Sequence, residues 1–349
     1  MPVPDADAGS VGWGGRLRRV WRELWRPTGR ADPAAGIVAG FALLVPLLAA
    51  VWAGHPAVGA SMALSVALVA LPLPATAGGG ERVRILLART VCLTGAGIYV
   101  WLIGPHTWLL AAGVTVAAAT GALAPRIGTI APLAVLMVGI TGSGASPAVP
   151  GLEQLAGGLL ASALLLPRWG RPRPDTPAPT AVPARPRWRH AARLAVLVGA
   201  VASLLTLSGH LGGEMHWLVT SVLLTAQPTP EATRTKGTKR VLGNTIGGIA
   251  TALILLAEPG LTAVAVIVGL AGAAAYCWRP ANYLYWALAA PILLLLLGDY
   301  DRPVPWYAAA VRVGLNILGG ALALTAARWL WPTRPRRTAP PTQGGTRRP

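Results

Sequence analysis

Residues 34–53 read AAGIVAGFALLVPLLAAVWA and contain no charged side chain. A helix needs about 20 such residues to cross the ~30 Å hydrocarbon core of a membrane. Comparable apolar runs recur along the chain, in which 54% of the 349 residues are hydrophobic and only 12% are charged. Because soluble domains are about 25% charged, this composition predicts a membrane protein.

Twelve apolar segments, separated by polar, proline or glycine breaks, are the candidate membrane spans. They lie near 34–53, 57–73, 86–103, 107–124, 128–144, 150–166, 191–208, 215–227, 241–257, 260–277, 283–298 and 311–331. Since a bilayer core offers no water to backbone groups, such segments cross as helices. We therefore expect an all-α polytopic membrane protein of about twelve transmembrane helices. The segment 215–227 is short, so it is either an interrupted span or one that starts earlier, near Gly209.

The basic residues are distributed unequally between the two faces that these spans define. Every lysine and arginine except Arg302 and Arg312 falls on one face. The positive-inside rule assigns that face to the cytoplasm and so places both termini there. The net charge of +18 is therefore a topology signal. It does not predict nucleic-acid binding, because the basic residues are dispersed over loops and are not interleaved with aromatic residues.

A Pro/Arg-rich linker at 168–189 divides the chain into two halves. Such a composition behaves as an extended spacer. Both halves begin on the cytoplasmic side and contain six segments, so as repeats they are parallel. The predicted regions are a basic N-terminal segment (1–33), a first six-helix repeat (34–167), the linker, a second six-helix repeat (190–332) and a basic tail (333–349). The N-terminal segment is either an amphipathic helix on the membrane surface or a set of charges that fixes topology.

Residues at matching positions of the two halves support a duplication. The matches pair, in chain order, Pro72 with Pro228, Arg89 with Arg240, Thr94 with Thr245, Ile98 with Ile249, and Gly157-Gly158 with Gly319-Gly320.

Two stretches in the second half carry a family resemblance. Residues 227–233 read QPTPEAT, and residues 240–247 read RVLGNTIG. They resemble the signature of the fusaric acid resistance and aromatic acid exporter superfamily, in which a Q-P start and a Thr precede an R-x-x-G-T-x-x-G opening of the next helix. Asn282-Tyr283 and Trp331-Pro332 are similar to the same family. The resemblance covers about 190–332, is faint over 34–167, and implies an exporter of small organic anions such as aromatic carboxylates.

The sequence also departs from this family. Asn244 occupies the Thr position of the motif, and Cys92 replaces its first Gly in the first half. The large cytoplasmic domains common in the family are replaced by the linker and the short tail. The resemblance therefore implies the membrane part of the family and not its cytoplasmic regulation.

The candidate anion contacts follow from charge and position. Arg240 and Arg89 stand at cytoplasmic helix starts, where a guanidinium adds to the positive end of the helix dipole and can bind a carboxylate through two hydrogen bonds. The alternative for both arginines is snorkelling and topology setting. Asn244 and Thr245 offer polar groups inside the membrane.

A second candidate contact lies at the opposite side of the membrane. Arg312 and Asn316 are one helical turn apart and could form a second anion contact or an exit gate. An ion pair between Arg312 and Asp299 or Asp301 is the structural alternative. The predicted helix-packing motif consists of Gly243, Gly247, Gly248, Pro228 and Pro230.

Other function classes have less support in the sequence. There is no P-loop and no acidic residue in the middle of a span, so we expect no cofactor, no metal and no catalytic residue. A membrane-embedded transferase using Asp299 and Asp301, and a non-catalytic membrane scaffold, are the alternatives. The expected partners are the lipid bilayer, a small organic anion and, as an open alternative, further copies of the chain. Abundant Ala, Gly and Arg beside only two lysines, Lys236 and Lys239, suggest a bacterial inner-membrane protein.

Overall fold

The computed structural model describes residues 18, 21–73, 77–141, 151–166, 184–211, 214–298, 300 and 304–330. Within these ranges every regular element is helical, and each of the twelve predicted segments contains a helix. The helices are α1 (Pro33–Trp52), α2 (Pro56–Val69), α3 (Gly79–Ile103), α4 (Thr107–Leu123), α5 (Ile130–Thr141), α6 (Leu152–Leu165), α7 (Ala184–Leu207), α8 (His216–Thr225), α9 (Pro230–Leu256), α10 (Leu261–Trp278), α11 (Tyr283–Gly298) and α12 (Tyr307–Thr325), followed by a π-helical turn at Ala326–Leu330. The prediction of an all-α protein is confirmed.

Six of the described helices are long and apolar enough to cross a membrane, namely α1, α3, α7, α9, α10 and α12. The other six have 10 to 17 residues. The shortest, α8, has 10 residues and reaches only about 15 Å at ~1.5 Å per residue. That is half of a ~30 Å core. The crossing of the membrane by all twelve helices stays a prediction.

The outer surface of the bundle carries rows of exposed apolar side chains, as expected of a surface in contact with lipid. On α1, Ile37, Phe41 and Val45 recur every four residues and are all exposed, whereas Leu43 and Leu47 on the opposite face are fully buried. A helix that is apolar on both faces has one face in a core and the other in a nonaqueous surrounding. This pattern fits a bundle embedded in a bilayer.

The two halves of the chain use the same pairings of helices. In the first half α3 packs on α5 and α6, and α2 packs on α6; in the second half α9 packs on α11 and α12, and α8 packs on α12. Between the halves, α1 packs along α10, and α7 packs along α4. Each first helix of a half thus lies against the fourth helix of the other half.

Small residues allow the closest of these approaches at corresponding positions. A Cβ on Gly157 of α6 would lie 2.9 Å from the carbonyl carbon of Met62 in α2. A Cβ on Gly319 of α12 would lie 2.9 Å from the carbonyl oxygen of Leu218 in α8. Carbon atoms in contact normally lie about 3.5–4.0 Å apart, so only glycine fits at either position without movement of a helix.

The chain before α1 is docked on the loop between α10 and α11. Residues 21–25 are helical, and the side-chain amide of Asn282 donates to the carbonyl oxygens of Leu24 at 2.7 Å and Arg26 at 3.1 Å. The Tyr285 hydroxyl donates to the carbonyl oxygen of Trp25 at 2.9 Å. The rest of the predicted N-terminal helix, the linker up to 183 and the tail at 333–349 lie outside the described residues.

Candidate anion-binding cavity

A cavity lies where the second half meets the first. Side chains of α8, α9, α11 and α12 line most of it, and the end of α2, the start of α5 and Arg279 complete the wall. Its volume is about 80 Å³, enough for several water molecules or a small anion at ~30 Å³ per water.

Helix α9 brings three polar side chains to this cavity. The helix is capped at its N-terminus, because the Thr229 side chain accepts a hydrogen bond from the backbone N–H of Ala232 at 3.2 Å and Pro230 occupies the first turn. Lys236, Arg240 and Asn244 follow at intervals of four residues and all line the cavity. Residues spaced by four lie on one face of a helix, so the local sequence fixes this polar row.

Arg240 is the central residue of the row and is only 3% exposed. Its Nη2 donates to Oδ1 of Asn316 on α12 at 2.8 Å. Its Nε is buried without a hydrogen-bond partner, as is Oδ1 of Asn244 one turn further along. Unsatisfied polar atoms beside a cavity are the groups that a bound molecule would contact.

Asn316 connects Arg240 to a second arginine. Its side-chain N–H donates to the carbonyl oxygen of Arg312 at 2.8 Å, and Ser221 of α8 donates to its carbonyl oxygen at 2.8 Å. These contacts fix the amide so that its oxygen faces Arg240.

Arg312 is held by a carboxylate and an aromatic ring. Its Nη2 donates to Oε1 of Glu214 at 2.7 Å, and its Nε donates to Oε2 of the same residue. The guanidinium lies over Trp217, 5.4 Å from the ring centroid. Such a two-pronged contact neutralises the guanidinium. Arg312 thus pairs with Glu214, which was not among its predicted partners. The predicted alternative, an ion pair with Asp299 or Asp301, stays a prediction because both residues lie outside the described residues.

Two further cations approach the cavity from the cytoplasmic side of the predicted topology. Arg279 stacks 4.1 Å from the ring centroid of Trp286, and its Nη1 is buried without a hydrogen-bond partner. Lys236 lies 5.4 Å above the ring of Tyr283. The Tyr283 hydroxyl faces Arg240 as well as both of these cations. Burial lowers the pKa of Arg279, yet a guanidinium stays protonated at physiological pH.

Arg89 lies close enough to Arg279 to interact with it electrostatically, but it does not line the cavity. Its guanidinium donates to the carbonyl oxygens of Val69 at 2.9 Å, of Leu71, and of Pro72 at 3.2 Å. These carbonyls end helix α2, where unpaired C=O groups and the negative end of the dipole favour a cation. Arg89 therefore caps a helix, and it is not part of the cavity wall.

The other predicted residues within helix α9 contact their own helix or its neighbours. Thr245 is not in the cavity wall, and its hydroxyl donates to the carbonyl oxygen of Val241 in its own helix at 2.8 Å. Gly243 and Gly247 lie against α11, and Gly248 lies against Val313 of α12. Close packing through small residues is how helices associate in a bilayer.

Pro228 and Pro230 lie at the start of α9, away from the main cavity. They line a second, smaller cavity of about 30 Å³, together with Thr233 and His190. The Thr233 hydroxyl accepts a hydrogen bond from the backbone N–H of Gln227 at 3.0 Å. These residues shape the turn between α8 and α9, which orients the polar row.

Lys236 and Arg279 line the cavity but were not predicted to do so, because both were interpreted as topology charges. One signal for Lys236 was available: it stands one helical turn before Arg240. No local pattern indicates Arg279, since the contact with Trp286 depends on how the loop after α10 folds back on α11. Within the described residues there is no group of His, Cys, Asp and Glu that could hold a metal.

The comparison with known families agrees with the motif in the second half. Residues 194–326 match the model of a family described as fusaric acid resistance protein-like. This part of the chain is similar to that family. The resemblance predicted from residues 227–247 is thereby confirmed. The matched region runs from α7 to the π-helical turn and contains all four cations of the cavity. No curated protein and no solved structure matches the chain.

Proposed function

We propose that the protein is a membrane transporter that exports small organic anions, aromatic carboxylates among them. The observation that carries this proposal is the buried Arg240, whose Nε has no hydrogen-bond partner although the residue lines a cavity. A carboxylate in the cavity would supply that partner and compensate the charge. The fusaric acid resistance-like match of residues 194–326 supports a transport or resistance role.

The position of Arg240 along its helix supports a site near the cytoplasmic end of the predicted span. Arg240 directly precedes the predicted span 241–257, and the exposed Arg234 lies six residues before it. A buried charge on a membrane helix is costly and is commonly retained for function. Hydrogen bonds link Arg240 to Asn316, Asn316 to Arg312, and Arg312 to Glu214. These contacts form a path of polar groups toward the other side of the membrane.

The helix arrangement suits a transporter built from two parallel repeats. We infer that α1 to α6 and α7 to α12 are such repeats, with both termini in the cytoplasm. Helix α8 has 10 residues, and we infer that it is an interrupted span. Irregular backbone at membrane depth is tolerated where it is buried in protein or lines a cavity.

The cavity volume indicates that an aromatic substrate requires movement. About 80 Å³ is roughly half of the ~150 Å³ cavity that admits benzene in a soluble protein. The conformation described is therefore a closed one in this scheme. Opening would separate α9 or α12 from α8, because these helices carry the cavity wall.

The test is flux through purified protein in proteoliposomes. A panel of labelled aromatic and aliphatic carboxylates is offered to intact protein, to Arg240→Gln and to Arg234→Gln. Arg234 is the matched control because it lies on the same helix but is exposed. We expect saturable flux that falls at least tenfold in Arg240→Gln, equivalent to about 1.4 kcal/mol, and stays unchanged in Arg234→Gln.

Binding provides a second measurement. Trp217 and Trp286 line the cavity, so a bound anion should change their fluorescence. Folded protein that shows neither saturable flux nor a fluorescence change with any anion of the panel contradicts the proposal. So does an Arg240→Gln variant with the affinity of the intact protein.

A further inference from the structure

Lys236, Arg240 and Arg279 bring three positive charges to one side of the cavity, around the hydroxyl of Tyr283. Each is held by a neutral group. Arg240 contacts the amide of Asn316, Lys236 the ring of Tyr283, and Arg279 the indole of Trp286. Such contacts orient a cation, but they carry no negative charge.

The fourth cation differs from these three. Arg312 is neutralised by the two carboxylate oxygens of Glu214. Among the residues that the structure describes, neither Lys236, Arg240 nor Arg279 forms an ion pair with a carboxylate. As far as the described residues go, the cavity wall therefore carries three positive charges without a carboxylate partner.

No carboxylate of the described residues compensates these three charges, so a bound anion would be stabilised by them. Like charges close together in a site of low dielectric repel each other strongly. A monocarboxylate would leave two charges uncompensated, whereas a dianion would leave one. In a dianion, the second carboxylate would interact with Lys236 and Arg279, and this attraction adds to that between the first carboxylate and Arg240.

We propose that the cavity selects organic dianions over monoanions, and that Lys236 and Arg279 are the residues that determine this specificity. The inference rests on the proposed function and names the substrate class of the same site. One carboxylate accepts hydrogen bonds from the Nε–H of Arg240 and the Nδ2–H of Asn244, and the second lies between Lys236 and Arg279. The indole of Trp286 forms the apolar wall between them.

The first half of the chain supports the assignment by contrast. At the offset that matches Arg89 with Arg240, Lys236 corresponds to Ile85, which is 3% exposed. The guanidinium of Arg89 itself already donates hydrogen bonds to the carbonyl oxygens at the end of α2. The polar row that would bind a dianion is thus present in one half only.

The test compares two probes of the same ring and different charge, benzoate and isophthalate. Both are titrated against the intact protein, with cavity tryptophan fluorescence for affinity and proteoliposome flux for transport. We expect isophthalate to bind at least tenfold more tightly than benzoate. Lys236→Met should weaken isophthalate binding at least tenfold and benzoate binding less than twofold. Lys236→Arg, which keeps the charge, should retain the preference and so separates a charge effect from misfolding.

The outcomes separate this inference from the proposed function. Equal affinity for both probes, with binding of both dependent on Arg240, overturns the dianion inference and leaves the transporter intact. Equal weakening of both probes in Lys236→Met also overturns it, because Lys236 would then not distinguish charge. Absence of binding and flux for both probes overturns both proposals.

Discussion

Replacing Gly243 by alanine tests whether the close contact between α9 and α11 positions the polar row. A Cβ on Gly243 would lie 2.5 Å from Cβ of Ala287, 2.8 Å from its carbonyl carbon and 3.0 Å from the backbone nitrogen of Leu288. Carbon atoms in contact prefer about 3.5–4.0 Å. Because two of these three atoms are backbone, no side-chain rotation relieves the overlap. The helices would have to separate by about 1 Å.

The magnitude follows from two opposing effects. Overpacking of this kind costs about 1–3 kcal/mol, whereas alanine is favoured over glycine in a helix by up to ~1 kcal/mol. Gly314 of α12 isolates the second effect, since a Cβ there meets nothing within 4 Å. Both positions are helical and receive the same substitution, so the difference in unfolding free energy between the two variants is the overpacking cost itself. We expect Gly243→Ala to be less stable than Gly314→Ala by about 1–3 kcal/mol.

The assay is reversible unfolding in mixed detergent micelles, followed by tryptophan fluorescence as the denaturing detergent is increased. Anion binding to both variants is measured in parallel. Displacement of α9 should weaken binding in Gly243→Ala, because Arg240 and Asn244 lie on either side of the substituted position. Adding Ala287→Gly removes one of the overlapping atoms and should restore part of the stability. Equal stability of Gly243→Ala and Gly314→Ala would refute the packing argument.

Two further predictions concern the other arginines. Arg89→Leu should destabilise the protein by about 1–3 kcal/mol, because it leaves the carbonyl oxygens of Val69, Leu71 and Pro72 without their donor. The affinity for anions should stay unchanged. A selective loss of affinity at wild-type stability would contradict the capping role. Glu214→Gln should cost more stability than Arg312→Met, because it leaves the charge of Arg312, which is 4% exposed, without its carboxylate partner, whereas Glu214 is 35% exposed. Thermal unfolding of both single variants and of the double variant checks this. A larger loss in Arg312→Met would show the assignment to be wrong.

Much of the architecture is already contained in the order of apolar and polar residues. Apolar runs such as 34–53 cannot stay in water and must form helices in a bilayer, so the all-α class and the positions of the helices follow from composition and spacing. The QPTPEAT and RVLGNTIG stretches predicted the fusaric acid resistance-like match because those residues lie close together in the chain. Arg240 and Asn244 were identifiable as one face of one helix for the same reason.

The partners of these residues depend on contacts between distant segments, and only the tertiary structure decided them. Arg89 and Arg240 occupy matching positions in the two halves, yet one donates to the carbonyls at the end of α2 and the other to Asn316 of α12. The pairing of Arg312 with Glu214 joins residues of α12 and the segment before α8, and Arg279 reaches the cavity only through its stacking on Trp286. Local spacing determines which side chains share a helix face, whereas the charge left uncompensated in the cavity depends on which faces the packed helices bring together.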